Sequence, residues 1–187
     1  MKRIIFALIT ILASGCAPQY PLNTDLRLQI QPTDTGVYDR SDTAAITSSD
    51  SRANREVIVY EAGEPVAITN LNPVPIIVSE RLAGGLRQQG LTINSTAPVI
   101  VKVDIVELQA RVSRAKMIHH TAVVSRVTLR LEHNGRTLGK KYNHESNRES
   151  LDRPEVEELE ELLENQLSDI VGQILADEAI RDFIRQQ

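Results

Sequence analysis

The sequence predicts an α+β domain: an antiparallel-rich sheet of about four to five strands with two main helices packed on one face. Three observations carry that expectation. Asn134-Gly135 stands between two runs of alternating residues, and a two-residue hairpin turn needs this dipeptide because both central residues take positive φ. Val99–Val112 also alternates, but its apolar phase switches. It runs over Val99, Val101, Val103 and Ile105, then over Val106, Leu108, Ala110 and Val112, the displacement a β-bulge makes in a strand. Finally, Val156, Leu159, Leu163, Leu167, Ile170 and Ile174, widened by Leu162 and Val171, recur at helical spacing in one long stripe.

The elements follow in chain order. Ala17-Pro18-Gln19-Tyr20-Pro21 disfavours helix and reads as an extended leash. Leu26, Leu28 and Ile30 alternate with polar residues, which predicts a first strand stopped by Pro32. Thr33–Asn54 is rich in Ser, Thr and Asp and reads as a long surface loop. Val57–Tyr60 is a short β-branched run, ended by Gly63 and Pro65, and is expected to form a strand. A helix is expected from about Pro75 to Gln89, with Val78, Leu82, Gly85 and Leu86 on one face. Gly90 supplies a left-handed stop, and Leu91 folds back on Leu86. Gly84-Gly85 inside that helix costs about 1 kcal/mol per Gly relative to Ala, which close approach to a strand would explain.

Arg114-Ala115-Lys116 is the expected turn after the bulged strand. The Asn134-Gly135 turn then sets a register of Leu131 opposite Leu138, Leu129 opposite Lys140, and Val127 opposite Tyr142. In that register the polar face collects Arg126, Arg130 and Lys141. Asp152 with Glu155 fits a capping box for the long helix, with Pro154 in its first turn. Asp177 caps a last short helix that docks Ile180, Phe183 and Ile184.

The start of the chain has its own logic. Lys2-Arg3, the apolar run Ile4–Leu12 and the small residues Ala13-Ser14-Gly15 lead to Cys16, the only cysteine. The run is too short to span a bilayer and has the form of a removable signal. The stretch resembles a bacterial lipobox, in which the thiol is acylated and the peptide is cut before Cys16. That resemblance implies residues 1–15 as a removed signal peptide, 16–25 as a lipidated tether, and 26–187 as a single α+β periplasmic domain.

Composition narrows the class further. There is no Trp, and Phe183 is the only Phe beyond the signal, so the core rests on Val, Ile and Leu. A lone cysteine excludes an internal disulfide. The net charge of −4 argues against nucleic acid as a partner. The charge is unevenly distributed: Arg111–Arg148 holds nine basic residues against Glu132 and Glu145, whereas Asp152–Asp182 holds eleven acids against Arg153 and Arg181.

With this order of elements the chain resembles the YajG-type lipoproteins, small bacterial envelope proteins. The resemblance is carried by Gly15-Cys16, by Gly36-Val37-Tyr38-Asp39-Arg40-Ser41-Asp42, and by Arg87-Gln88-Gln89-Gly90-Leu91. It continues in Asn134-Gly135 with Lys141-Tyr142, and in the ending Ile180-Arg181-Asp182-Phe183-Ile184-Arg185-Gln186. It implies an outer-membrane-anchored domain facing the periplasm, and it supplies no catalytic residues.

The residues themselves point to no catalytic site, cofactor or metal. His119 and His120 are neighbours and point to opposite faces of a strand. His144, opposite Ser125, lies eight residues from His133, roughly 26 Å, and His119 lies six from Ser125, roughly 20 Å. No Gly-x-Ser-x-Gly elbow is present, and the one thiol is assigned to lipid. Two classes of function remain, both beyond the membrane contact through lipid at Cys16. One is a non-enzymatic interaction or accessory module with an envelope protein partner. The other is a binder of anionic lipid or lipopolysaccharide through Arg126, Arg130 and Lys141. Against the second stands the plainer reading of those residues as solvated strand positions paired with Glu132 and Glu145.

Overall fold

The long hairpins dominate the architecture. The computed structural model describes residues 20–30 and 34–186, so the expected signal peptide, Cys16 and the first residues of the expected tether lie outside the described part. Strands β6 (Ile100–Ala115), β7 (Ile118–His133) and β8 (Arg136–Ser150) form an antiparallel meander. Before them come β1 (Asn23–Thr24), β2 (Thr43–Asp50), β3 (Glu56–Tyr60), β4 (Val66–Asn70), helix α1 (Val74–Gln88) and β5 (Thr92–Ile93). Helices α2 (Val156–Ala176) and α3 (Glu178–Arg185) close the chain.

The meander has the expected register. Leu131 faces Leu138, Leu129 faces Lys140 and Val127 faces Tyr142, around Asn134 and Gly135 with φ of 48° and 77°. The bulge is also where the phase switch put it, between Ile105 and Glu107. It keeps Val101, Val103 and Ile105 on the buried face before the switch, and Leu108, Ala110 and Val112 after it. The turn between β6 and β7 lies one step later than expected, at Lys116-Met117, with Lys116 at φ 58°.

The sheet is larger and more mixed than expected, with eight strands among the described residues. β2 runs parallel to β6 along Ile100–Ile105, and β3 runs parallel to it at Ala110–Val112, both on the edge opposite β7. β4 adds antiparallel to β3, β1 parallel to β4, and β5 parallel to β2. Four of the seven pairings are thus parallel, and the antiparallel-rich sheet of four to five strands is corrected to a mixed sheet. Parallel neighbours need a crossover. Helix α1 provides it, lying between β4 and β6 in the chain.

Two segments depart from their patterns for identifiable reasons. β2 lies inside the stretch expected to be a loop. Its sequence, Thr-Ala-Ala-Ile-Thr-Ser-Ser-Asp, buries only the small Ala44 and Ala45 and leaves Thr47, Ser48 and Ser49 exposed. The segment at Leu26–Ile30 does alternate, with Leu26 and Leu28 buried, yet it forms no strand. Its backbone runs along α2 instead, where the Arg27 N–H donates to Glu164 at 2.6 Å and the Gln29 N–H donates to the Ser168 hydroxyl at 3.2 Å.

Helix α1 begins with Pro75 in its first turn and ends in a Schellman motif. The Leu91 N–H donates to the Leu86 carbonyl at 3.0 Å, and the Gly90 N–H donates to the Arg87 carbonyl at 3.0 Å, with Gly90 at φ 105°. Helix α2 starts later than the sequence suggests. Glu155 is its N-cap without a side-chain bond, so the Asp152 capping box does not form. Asp177 does cap α3, accepting from the Ala179 N–H at 3.0 Å. Both main helices lie on one face of the sheet, where Leu82, Leu86, Leu159, Leu163 and Leu167 meet Ile105, Leu108, Leu129 and Leu131 in one core.

The paired glycines of α1 serve different ends. A Cβ on Gly85 would collide with the Leu175 side chain of α2, so the close neighbour is a helix and not a strand. Gly84 faces open space. Gly84→Ala should therefore stabilise the domain by about 0.5–1 kcal/mol through helix propensity. Gly85→Val should destabilise it by about 1–3 kcal/mol through overpacking against a buried neighbour. Urea unfolding of the two variants checks this, and equal shifts in one direction would contradict the helix–helix contact.

Candidate functional site

The sheet face away from the helices carries the residues singled out from sequence. Alternation along β7 sends Val123, Val127, Leu129 and Leu131 inward and Arg126, Thr128, Arg130 and Glu132 outward. Lys141, opposite Thr128 on β8, joins the outward set. Arg126, Arg130 and Lys141 therefore do share one face.

The structure pairs Arg126 and Arg130 with the Glu145 and Glu132 of the plainer reading and adds Glu107. Arg126 is held by Glu107 on β6 and by Glu145 on β8, so one guanidinium bridges three strands. The hydrogen bond that Arg126 donates to Glu145 and the neighbouring Glu107 charge raise its already high pKa. Glu132 binds the Lys102 ammonium at 2.7 Å and the Arg130 guanidinium at 2.9 Å. Its carboxyl is held below the usual range, first by the Lys102 hydrogen bond and then by the charges of Lys102 and Arg130. Among the described residues, Lys141 alone of the three is without a carboxylate partner. The face is thus a lattice of alternating signs and not a basic field.

Buried polar contacts fix the helices beneath this face. The Ser125 hydroxyl donates to Gln166 of α2 at 2.7 Å, and Gln166 donates to the Ser146 hydroxyl at 3.1 Å. Tyr142 donates to Asp177 at 3.0 Å, and Lys140 pairs with the same carboxylate at 3.1 Å. Burial and the Asp177 partner push the Tyr142 phenol far up, and Asp177 stays below its usual pKa because the Lys140 and Tyr142 hydrogen bonds outweigh its desolvation. The basic β8 and the acidic α2 also meet at Arg148–Glu158.

A second constellation went unseen in the sequence. Arg153, just before α2, stacks on two rings, its Cζ lying 4.7 Å from the Tyr20 centroid and 4.2 Å from the Tyr60 centroid. The two rings are 5.2 Å apart. Tyr60 also donates to the Pro154 carbonyl at 2.9 Å, and burial pushes its phenol up to about 12. This clasp ties the entering chain to the start of α2. Tyr20, Tyr60 and Arg153 belong to no common periodicity, so no local pattern announces them.

The histidines are scattered. His144 faces Ser125 across the ladder and contacts Gln173 at 2.8 Å, while His120 lies 3.2 Å from Glu149. Among the described residues no group of three or more His, Cys, Asp or Glu is placed to hold a metal ion. No helix among them is long and apolar enough to cross a membrane.

On the acidic helix, Glu160 is half-buried rather than fully solvated. Burial raises its pKa, and the neighbouring Glu157 and Glu164 raise it further. Its folded pKa exceeds the unfolded one, so its charge opposes folding at neutral pH, and the opposition fades as pH falls through the raised value. Glu160→Gln should stabilise the domain by no more than ~0.5 kcal/mol near pH 7. The gain should vanish in mildly acidic buffer, as read from urea midpoints at both pH values.

Fold and site together define a class: a small α+β domain with helices on one side of a mixed sheet and a charge-latticed face on the other. The chain belongs to a bacterial lipoprotein family described as uncharacterized lipoprotein, whose family model matches residues 29–185. Structural likeness agrees on the fold. A Xanthomonas campestris protein, XCC0632, aligns with a TM-score of 0.63 at 9% identity, over 86% of this chain and 96% of its own. A crystal structure described only as an uncharacterized protein gives 0.54 at 12% identity, over 83% and 98%. Rare lipoprotein B from Shewanella oneidensis gives 0.39 at 14% identity, over 75% and 98%, a likeness too low to bear on the fold. No curated protein matches by sequence.

Proposed function

We propose that this lipoprotein is a non-enzymatic accessory module of the cell envelope, anchored in the outer membrane through Cys16 and facing the periplasm. The observation that carries the reading is the lattice Glu107–Arg126–Glu145 and Lys102–Glu132–Arg130. A patterned face of both signs suits a protein surface of complementary pattern, because opposite charges set register and exclude wrong partners. Ala17, in place of the Asp that favours inner-membrane retention in lipoproteins this one resembles, supports the outer-membrane address.

The experiment is crosslinking in the intact envelope with a photoreactive residue at Thr128, between Arg126 and Arg130 on the open face. A discrete protein adduct that Arg126→Glu removes is the expected result. Adducts that are only lipid would favour the second reading, an anionic-lipid or lipopolysaccharide binder using Arg126, Arg130 and Lys141. That reading has less support, since two of its three cations are already held by carboxylates. Membrane fractionation tests the address, and recovery solely with the inner membrane would refute it.

A further inference from the structure

The end of the sheet where the chain enters carries an apolar tip that the interaction face does not use. Met117 is 74% exposed, Leu151 76% and Ile118 39%. They are neighbours in space. Met117 lies in the β6–β7 turn, Ile118 opens β7, and Leu151 follows Ser150, which pairs with His119 across the ladder. Arg114 and Lys116 flank the turn. The Arg114 Nε donates to the Lys116 carbonyl at 3.0 Å, and neither cation has a carboxylate partner among the described residues.

The Tyr20–Arg153–Tyr60 clasp lies at this same end, because Tyr60 pairs with Val112, three residues before Ala115 closes β6. At about 3.3 Å per residue that places the clasp level with a point roughly 10 Å short of the tip. Cys16 precedes Tyr20 by four residues. Even fully extended, four residues reach only about 14 Å. Strand β7, with its 16 residues, carries the Asn134-Gly135 turn roughly 50 Å to the opposite end. A lipid anchor on so short a leash holds the clasp end at the bilayer and leaves the far end in solvent.

We propose that Met117, Ile118 and Leu151 dock in the interfacial zone of the bilayer that holds the Cys16 acyl chains, with Arg114 and Lys116 on lipid phosphates. The inference rests on the reading of Cys16 as the acylated residue. Apolar side chains at the acyl boundary with basic residues beside them are the composition of an interfacial contact. The charges add attraction to an anionic leaflet. Docking would fix the orientation of the domain and turn its charge lattice sideways, toward neighbours along the membrane.

The test uses the mature lipidated protein in mixed phosphatidylethanolamine–phosphatidylglycerol vesicles. With the Cys16 thiol acylated, Met117→Cys supplies the one free thiol for a polarity-sensitive dye, and Thr137→Cys places the same dye at the far end. The Met117→Cys probe should shift to the blue and be quenched by nitroxide lipids labelled near the headgroup. The Thr137→Cys probe should do neither. Adding Leu151→Asp to the Met117→Cys protein should reduce the quenching. Water-like emission from the Met117→Cys probe would overturn the proposal, and so would quenching that Leu151→Asp leaves unchanged, since the dye itself would then be seeking the bilayer. Dye uptake by the parent protein would show a free Cys16 thiol and remove the anchoring on which the proposal rests.

Discussion

Leu163→Ala should cost the domain about 2–5 kcal/mol, the range for truncating a buried leucine where neighbours relax only in part. Leu163 is fully buried, midway along the α2 stripe, with Leu159 and Leu167 one turn to either side. All three are fully buried in the core that also takes Leu82 and Leu86 from α1 and Leu129 and Leu131 from β7. Collapse is hard there. The Gln166 hydrogen bonds to Ser125 and Ser146 hold α2 to β7 and β8, and the Gly85–Leu175 contact holds it to α1. Urea unfolding reads the effect as a lowered midpoint at unchanged slope, which marks a loss of stability and not of cooperativity. A loss under about 1 kcal/mol, comparable to surface changes, would mean that α2 is rotated from the position described.

What could be read from sequence follows from how local each determinant is. The Asn134-Gly135 turn, the bulge between Ile105 and Glu107, the α2 stripe and the Gly90 stop are each written within a few residues, and each stands where the pattern put it. β2 is different. Its strand character comes from pairing with β6 and from lying under α1, and its small and hydroxyl side chains carry no apolar phase to announce it. The Leu26–Ile30 segment shows the converse. Alternation reports that one side of an extended chain is buried, and it cannot say whether the backbone partner is a strand or the side chains of a helix.

The open face was legible in part for the same reason. One turn sufficed to align β7 with β8 and so to bring Arg126, Arg130 and Lys141 together. Their charged neighbours on β6 depend on two further features at once, the Lys116-Met117 turn and the bulge, which together put Glu107 opposite Arg126 and Lys102 opposite Arg130. An error of one residue at that turn would move both to the other face. The Tyr20–Arg153–Tyr60 clasp, drawn from three distant parts of the chain, had no local signature at all.

Cys16→Ser should abolish acylation of the protein, the largest functional effect expected of any single substitution. Each acyl methylene placed in the bilayer contributes about 0.8 kcal/mol, a single chain gives only marginal binding, and durable anchoring therefore takes more than one chain. Serine offers no thiol to acylate, so both the lipid and the cleavage that accompanies it are lost, and metabolic labelling with a fatty acid should fall to background. The rest of the molecule cannot substitute for the anchor. The exposed apolar residues at the β6–β7 tip are few, and most of the cations on the sheet face are already held by carboxylates. The domain itself should be unaffected, because Cys16 lies before Tyr20, the first described residue packed against the core. A Cys16→Ser protein whose residues 1–15 are replaced by an ordinary cleavable secretory signal should show the parent's urea midpoint while appearing in the soluble fraction. For that secreted protein, membrane retention with acyl label intact would place the lipid on another residue, and retention without label would mean that a protein contact holds the domain at the envelope.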